Sequence, residues 1–82
     1  MNLCFIIGKI VSYLEFNFML ESNHISIAKF ELLLGNNSSI KVKAYDEIAD
    51  KCYKKLIKND IIAIQGKLNS KMEIIIEDFQ YL

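Results

Sequence analysis

Over residues 41–68 the chain reads KVKAYDEIADKCYKKLIKNDIIAIQGKL, and its apolar period runs from two to 3.6 and back to two. In the opening part, Ile40, Val42 and Ala44 alternate with Ser39, Lys41, Lys43 and Tyr45. That is a half-buried strand with one apolar face and one face carrying two ammonium groups beside an aromatic ring. Asp46 follows as a candidate N-cap, with Glu47 and Asp50 in or near the first turn, where unpaired N–H groups and the helix dipole favour negative charge. Ile48, Ala49, Cys52 and Leu56 fall at helical spacing, Lys54, Lys55 and Lys58 suit the opposite pole, and Asn59 suits the left-handed conformation that ends a helix. A helix is therefore predicted over residues 46–57. A strand follows at once, with Ile62, Ile64, Gly66 and Leu68 on one face and Ala63, Gln65 and Lys67 on the other. The glycine on the buried face predicts a bend or a close backbone approach.

The flanks supply further strands. Residues 3–18 read as one long strand or as two segments broken near Ser12, with Cys4, Ile6, Gly8 and Ile10 on one face and Phe5, Ile7, Lys9 and Val11 on the other. Both faces are largely apolar, so one of them should meet the far wall of a closed barrel or another subunit. Residues 21–24 form a polar turn in which His24 is expected to be solvated. Residues 25–34 are the second strand, with Phe30, Leu32 and Leu34 opposite Lys29, Glu31 and Leu33, and residues 35–39 are its hairpin connection to the third. A second short turn at Asn69, Ser70 and Lys71 leads into a last strand over residues 72–82. Five strands with one helix between the third and fourth is the order of an OB-fold, an all-β Greek-key barrel, here as a single domain spanning residues 1–82.

Eighty-two residues bury a limited core, which oligomerisation would supplement. The 52% hydrophobic content and regular patterning exclude a disordered chain. Ten lysines, no arginine and ten acids give a net charge of zero, without the basic balance of a phosphate binder, although a local basic stripe can be offset by acids on another face. Cys4 and Cys52 both lie in apolar patterns and read as buried thiols rather than a disulfide or zinc ligands. With no charged-then-apolar leader and no apolar run long enough to span a bilayer, a cytoplasmic protein is expected. No catalytic spacing, phosphate-cradling loop, metal cluster or cofactor motif is present, and the helix N-terminus accounts for Asp46, Glu47 and Asp50, so no enzyme is predicted.

The ordered set Lys41-Val42-Lys43-Ala44-Tyr45, Ile48-Ala49-Asp50, Leu56-Ile57-Lys58-Asn59-Asp60 and residues 62–68 resembles the centre of the bacterial single-stranded DNA-binding protein family. The opening residues 2–10 are similar to that family's first strand, and residues 73–82 to its last. The resemblance implies an OB-fold that binds single-stranded DNA, with Tyr45 at the position of a base-stacking aromatic just before the helix. It is to a short member, comparable to the tail-less primosomal replication protein N, because the last strand ends at Leu82 with no acidic tail expected. Ser39 stands where relatives carry tryptophan, and the short turn at Asn69 replaces a long binding hairpin.

The candidate binding face comprises Lys41, Lys43 and Tyr45 on the third strand, Lys67 with Gln65 on the fourth, Lys29 on the second and Lys9 on the first. Patterning alone favours reading Lys41 and Lys43 as a strand's solvated face and Tyr45 as a packing residue, and the resemblance reverses that preference. Lysines that neutralise phosphates beside an aromatic that stacks on a base are what sequence-tolerant single-strand binding requires, and the same face would accept RNA. Phe5 and Ile7 are expected to form a homodimer or homotetramer interface. The competing expectation is an OB-fold protein–protein interaction module of a replication or mobile-element assembly, which net neutrality and the absence of tryptophan favour.

Overall fold

The computed structural model describes residues 3–19 and 25–82. Its elements in chain order are β1 (Leu3–Ile10), β2 (Glu15–Met19), β3 (Ile25–Leu33), β4 (Ser39–Tyr45), α1 (Asp46–Lys55), β5 (Ile61–Leu68) and β6 (Glu73–Tyr81). The sheet order is β1-β5-β6-β4-β3-β2, and a further β1–β3 pairing closes it. All pairings are antiparallel except β4 with β6, which run parallel. β1 and β2 are two segments of one barrel strand, so the barrel has five strands with one helix inserted before β5, as the element order predicts. The break falls at Ser12, whose Oγ accepts the Glu31 N–H at 2.9 Å in place of a ladder partner. The polar turn expected at residues 21–24, His24 included, lies outside the described residues.

Alternation decides what the barrel encloses. Ile10, Phe30, Leu32, Val42, Ala44, Ile62, Ile64, Ile74, Ile76 and Phe79 point inward and are buried, and Ala49, Cys52 and Leu56 cap them from the helix end. Gly66 marks a close approach, as its place on the buried face predicts: a Cβ there would lie 2.3 Å from the Ile75 carbonyl oxygen and 2.9 Å from Ile74 Cγ2. A β-bulge between Gln65 and Gly66 accompanies it. Gly8 is similarly confined, with the Leu33 carbonyl oxygen 2.8 Å from the position of an added Cβ.

The helix departs from expectation at both ends. Asp46 is its first residue rather than its cap, because Tyr45 is still held in the β3–β4 ladder opposite Ile27 and so takes the cap position with extended φ −124° and ψ 148°. Asp46 turns the corner with a left-handed φ of 56°, and among the described residues no side-chain cap hydrogen bond is made at this end. The helix stops at Lys55 instead of Ile57, since Leu56 is extended at φ −98° and ψ 138°. Asn59 is left-handed at φ 82°, but in the turn beyond, where its N–H donates to the Ile10 carbonyl at 2.8 Å and Asp60 Oδ2 accepts the Ile57 N–H at 2.9 Å. Residues 3–10 and 61–68 are therefore tied through this turn as well as through their ladder.

Gly66→Ala should destabilise the barrel by about 1–3 kcal/mol, as overpacking against an unyielding backbone does. Gly35→Ala, with nothing within 4 Å of its added Cβ, should be nearly neutral. Chemical denaturation of the two variants checks the contrast, and equal stabilities would refute the close approach.

Candidate nucleic-acid interface

The outward face of β3 and β4 gathers four of the predicted residues. Register sets Lys29 opposite Lys43, Glu31 opposite Lys41 and Ile27 opposite Tyr45, on strands about 4.8 Å apart. Tyr45 is 39% exposed at the end of this face. The same face carries an open groove of about 330 Å³ with Lys29, Lys41 and Lys43 in its wall, and Tyr45 lies outside its lining.

Acids share that wall. Glu15 stands opposite Lys29, Glu31 opposite Lys41, and Glu73 of β6 opposite Lys41 on its other side. The offsetting acids thus occupy the same face as the lysines and not a remote one, because opposite charges across a ladder stabilise the sheet. Lys43 Nζ lies 3.2 Å from Glu73 Oε1, with the two side chains only 20% and 13% exposed. Glu73 is held in turn by the β5–β6 turn: Asn69 Nδ2 donates to Glu73 Oε1 at 3.0 Å, while Asn69 Oδ1 accepts the Glu73 N–H at 2.9 Å. The Asn69 amide first, and then the Lys43 ammonium, hold the Glu73 carboxyl below its ordinary value of 4.5. Lys9, Lys29 and Lys41 make no ion pair among the described residues.

No protein-family model and no curated protein sequence matches the chain. Solved structures do. The single-stranded DNA-binding domain of a Synechococcus protein superimposes with a TM-score of 0.86 at 18% identity over 99% of this chain and 96% of that one. The single-stranded DNA-binding protein of Thermus aquaticus gives a TM-score of 0.86 at 15% identity, and this chain, matched over 100% of its own length, spans 40% of it. PriB of Ralstonia solanacearum gives a TM-score of 0.82 at 12% identity over 99% of this chain and 97% of that one. The fold is the OB-fold of bacterial single-stranded DNA-binding domains. The resemblance read from the residues is thereby matched in three dimensions.

Elsewhere on the OB-fold the remaining predicted residues separate. Lys67 lies across β6 from Lys43, each opposite Ile75, and its Nζ is 3.8 Å from Glu77 Oε2. Lys9 is opposite Leu33 and Ile61 at the far end of β1, away from the Lys29–Lys43 rung. Phe5 and Ile7 point outward, 74% and 58% exposed, and face Gln65 and Ala63 on β5. Cys52 is buried, which pushes its thiol up to about 12, and neither it nor Cys4 is in a disulfide. Among the described residues no group of three or more His, Cys, Asp or Glu side chains is placed to hold a metal, and no helix is long and apolar enough to cross a membrane.

One residue of this surface was not singled out by periodicity. Tyr13, 77% exposed, projects from the β1–β2 connection into the groove wall beside Glu15 and Lys29. Its signal in the sequence is an aromatic directly after the strand-breaking Ser12, which alternation assigns to neither face.

Glu73→Gln should lower the thermal midpoint at neutral pH. Because the folded carboxyl titrates below its unfolded value, this contribution is complete above about pH 4.5 and is lost as the pH falls through the lowered value. The wild-type and variant midpoints should therefore converge in acid. A difference that stays constant with pH would rule out the charged Lys43–Glu73 contact as its source.

Proposed function

We propose that the protein binds single-stranded DNA without catalysis, as part of replication, recombination or repair, across the outer face of β3 and β4. The observation that supports this most is Tyr45 exposed beside the Lys29–Lys43 rung on an OB-fold of the single-stranded DNA-binding type. In this reading Tyr45 stacks on a base, Lys29 and Lys41 neutralise the flanking phosphates, and Lys67 and Lys9 extend the contact at its margins. Lys43 positions the face through Glu73 and meets phosphate only when that pair opens. RNA would be accepted by the same stacking chemistry. The protein acts in the cytoplasm and needs no cofactor.

The test is a fluorescence-anisotropy titration of labelled oligo-dT of about 35 nucleotides, enough for at least two OB-fold sites of roughly 4–16 nucleotides, with duplex DNA as control. Tyr45→Ala should weaken binding by about 1–3 kcal/mol. Lys29→Ala with Lys41→Ala should flatten the plot of log K against log salt by about 1.4, at roughly 0.7 per phosphate contact on single strands. Lys43→Glu is avoided, since it would oppose Glu73 and test the fold instead of the site. Binding unchanged by either variant would sink the assignment. The interleaving of Glu15, Glu31 and Glu73 with the lysines favours the second reading, an interaction module for protein partners, which predicts no salt-sensitive oligonucleotide binding at all.

The exposed Phe5 and Ile7 support assembly with a second copy through the outer face of β1, giving a homodimer or homotetramer. Fully burying two such side chains contributes about 1.5–3 kcal/mol each. Phe5→Ser with Ile7→Lys should convert the assembly to a monomer by light scattering, and an unchanged mass would remove these residues from the interface.

A further inference from the structure

A second groove, of about 440 Å³, opens between the β1–β2 connection and the end of α1. Tyr13 forms part of its wall as well as part of the β3–β4 groove, so the two are joined through that one ring. Tyr53, Ile57 and Lys58 line the other side, and Tyr13, Tyr53 and Ile57 are 77%, 57% and 68% exposed. Three large apolar side chains left in water around one groove is a costly arrangement for a domain of this size, and it marks a surface built to be covered.

The rings are held rather than loose. Lys58 Nζ sits 4.8 Å from the Tyr13 ring centroid, and Tyr53 rests on Phe16 with centroids 4.5 Å apart and planes 32° from parallel. Each ring is thus supported by a protein group and still largely solvent-exposed, the state of a stacking platform. The charge around it is also one-sided. Lys54, Lys55 and Lys58 are exposed and make no ion pair among the described residues, whereas the nearby Asp60 carboxylate is engaged by the Ile57 N–H. The β3–β4 groove, in contrast, matches three lysines with three glutamates. Supported aromatic rings amid unopposed ammonium groups complement a single-stranded polynucleotide, and a base laid on Tyr13 would bring its phosphate within reach of the Lys58 ammonium.

We infer that a single-stranded nucleic acid leaves the β3–β4 face over Tyr13 and continues into the groove against α1, where Tyr53 stacks on a further base and Lys58 binds phosphate. This rests on the single-strand-binding reading and extends it, by making the end of the helix part of the site and Tyr13 the hinge of the path. It also places the cationic excess where the central face lacks one.

The experiment compares oligo-dT of about 8 and about 20 nucleotides, lengths within and beyond a single OB-fold site, by anisotropy on the wild type, Lys58→Glu and Tyr53→Ala. The wild type should bind the longer strand more tightly, by about fivefold or more for one added stacking contact. Lys58→Glu should remove most of that difference while leaving the shorter strand's affinity as it was. Tyr53→Ala should do the same, and Lys58→Glu, on an exposed turn, keeps the test valid if loss of the Phe16 contact unfolds the other variant. A length difference that survives Lys58→Glu overturns the second groove alone. Absence of binding by the wild type at either length overturns the parent reading and this one with it.

Discussion

The approach of Gly66 to the Ile75 carbonyl is the contact on which the barrel's geometry depends. β5 and β6 can draw this close only where no Cβ intervenes, and the bulge beside it shifts their register from Gln65 opposite Asp78 to Gly66 opposite Ile76. That shift sets Ile75 across from Lys67 on one side, while the parallel pairing with β4 sets it across from Lys43 on the other. It also brings Glu73 to the flank of β4, where it meets Lys43, and to Asn69, which closes the turn. The setting of Lys67 across β6 from Lys43 thus depends on one residue without a side chain.

Charge on this chain is neutral in sum and uneven in place. Across the central face Lys41 lies between Glu31 and Glu73, while Lys29 lies between Glu15 and Lys43, whose ammonium pairs with Glu73. Such a face attracts a polyanion weakly, because each ammonium is already partly screened by a neighbouring carboxylate. In the proposed binding mode, affinity there would come mainly from stacking, which is indifferent to that screening. The α1 end differs because Lys54 and Lys55 stand in the last turn of a helix and Lys58 in the turn beyond it, where no neighbouring strand sets a carboxylate opposite them.

Alternation of Ile40, Val42 and Ala44 with Lys41, Lys43 and Tyr45 made β4 legible, since inward and outward sides are local properties of a strand. Gly66 was legible for the same reason. Cross-strand partners are not local: nothing near Lys41 in sequence announces that Glu31 and Glu73 will lie on either side of it. The Asp46 cap failed on similar grounds, because a ladder bond to β3 kept Tyr45 extended and moved the cap back by one residue. Tyr13 escaped because it sits in the gap between β1 and β2, where no period applies.

This separation explains how a chain can share a fold with single-stranded DNA-binding domains at 12–18% identity: period and burial set the fold and leave the outer surface to each sequence. In this chain the fold rests on period, on the close approaches at Gly8 and Gly66, and on buried aliphatic side chains. In the proposed binding mode the contacts are a few exposed rings and ammonium groups, which the period of the strands does not tie to one element. Ser39 and the short turn at Asn69 carry no aromatic, whereas Tyr13, Tyr45 and Tyr53 are exposed around the β1–β2 connection and both ends of α1. Aromatic surface here is concentrated toward the helix side of the barrel, and a strand that follows aromatic surface would be drawn the same way.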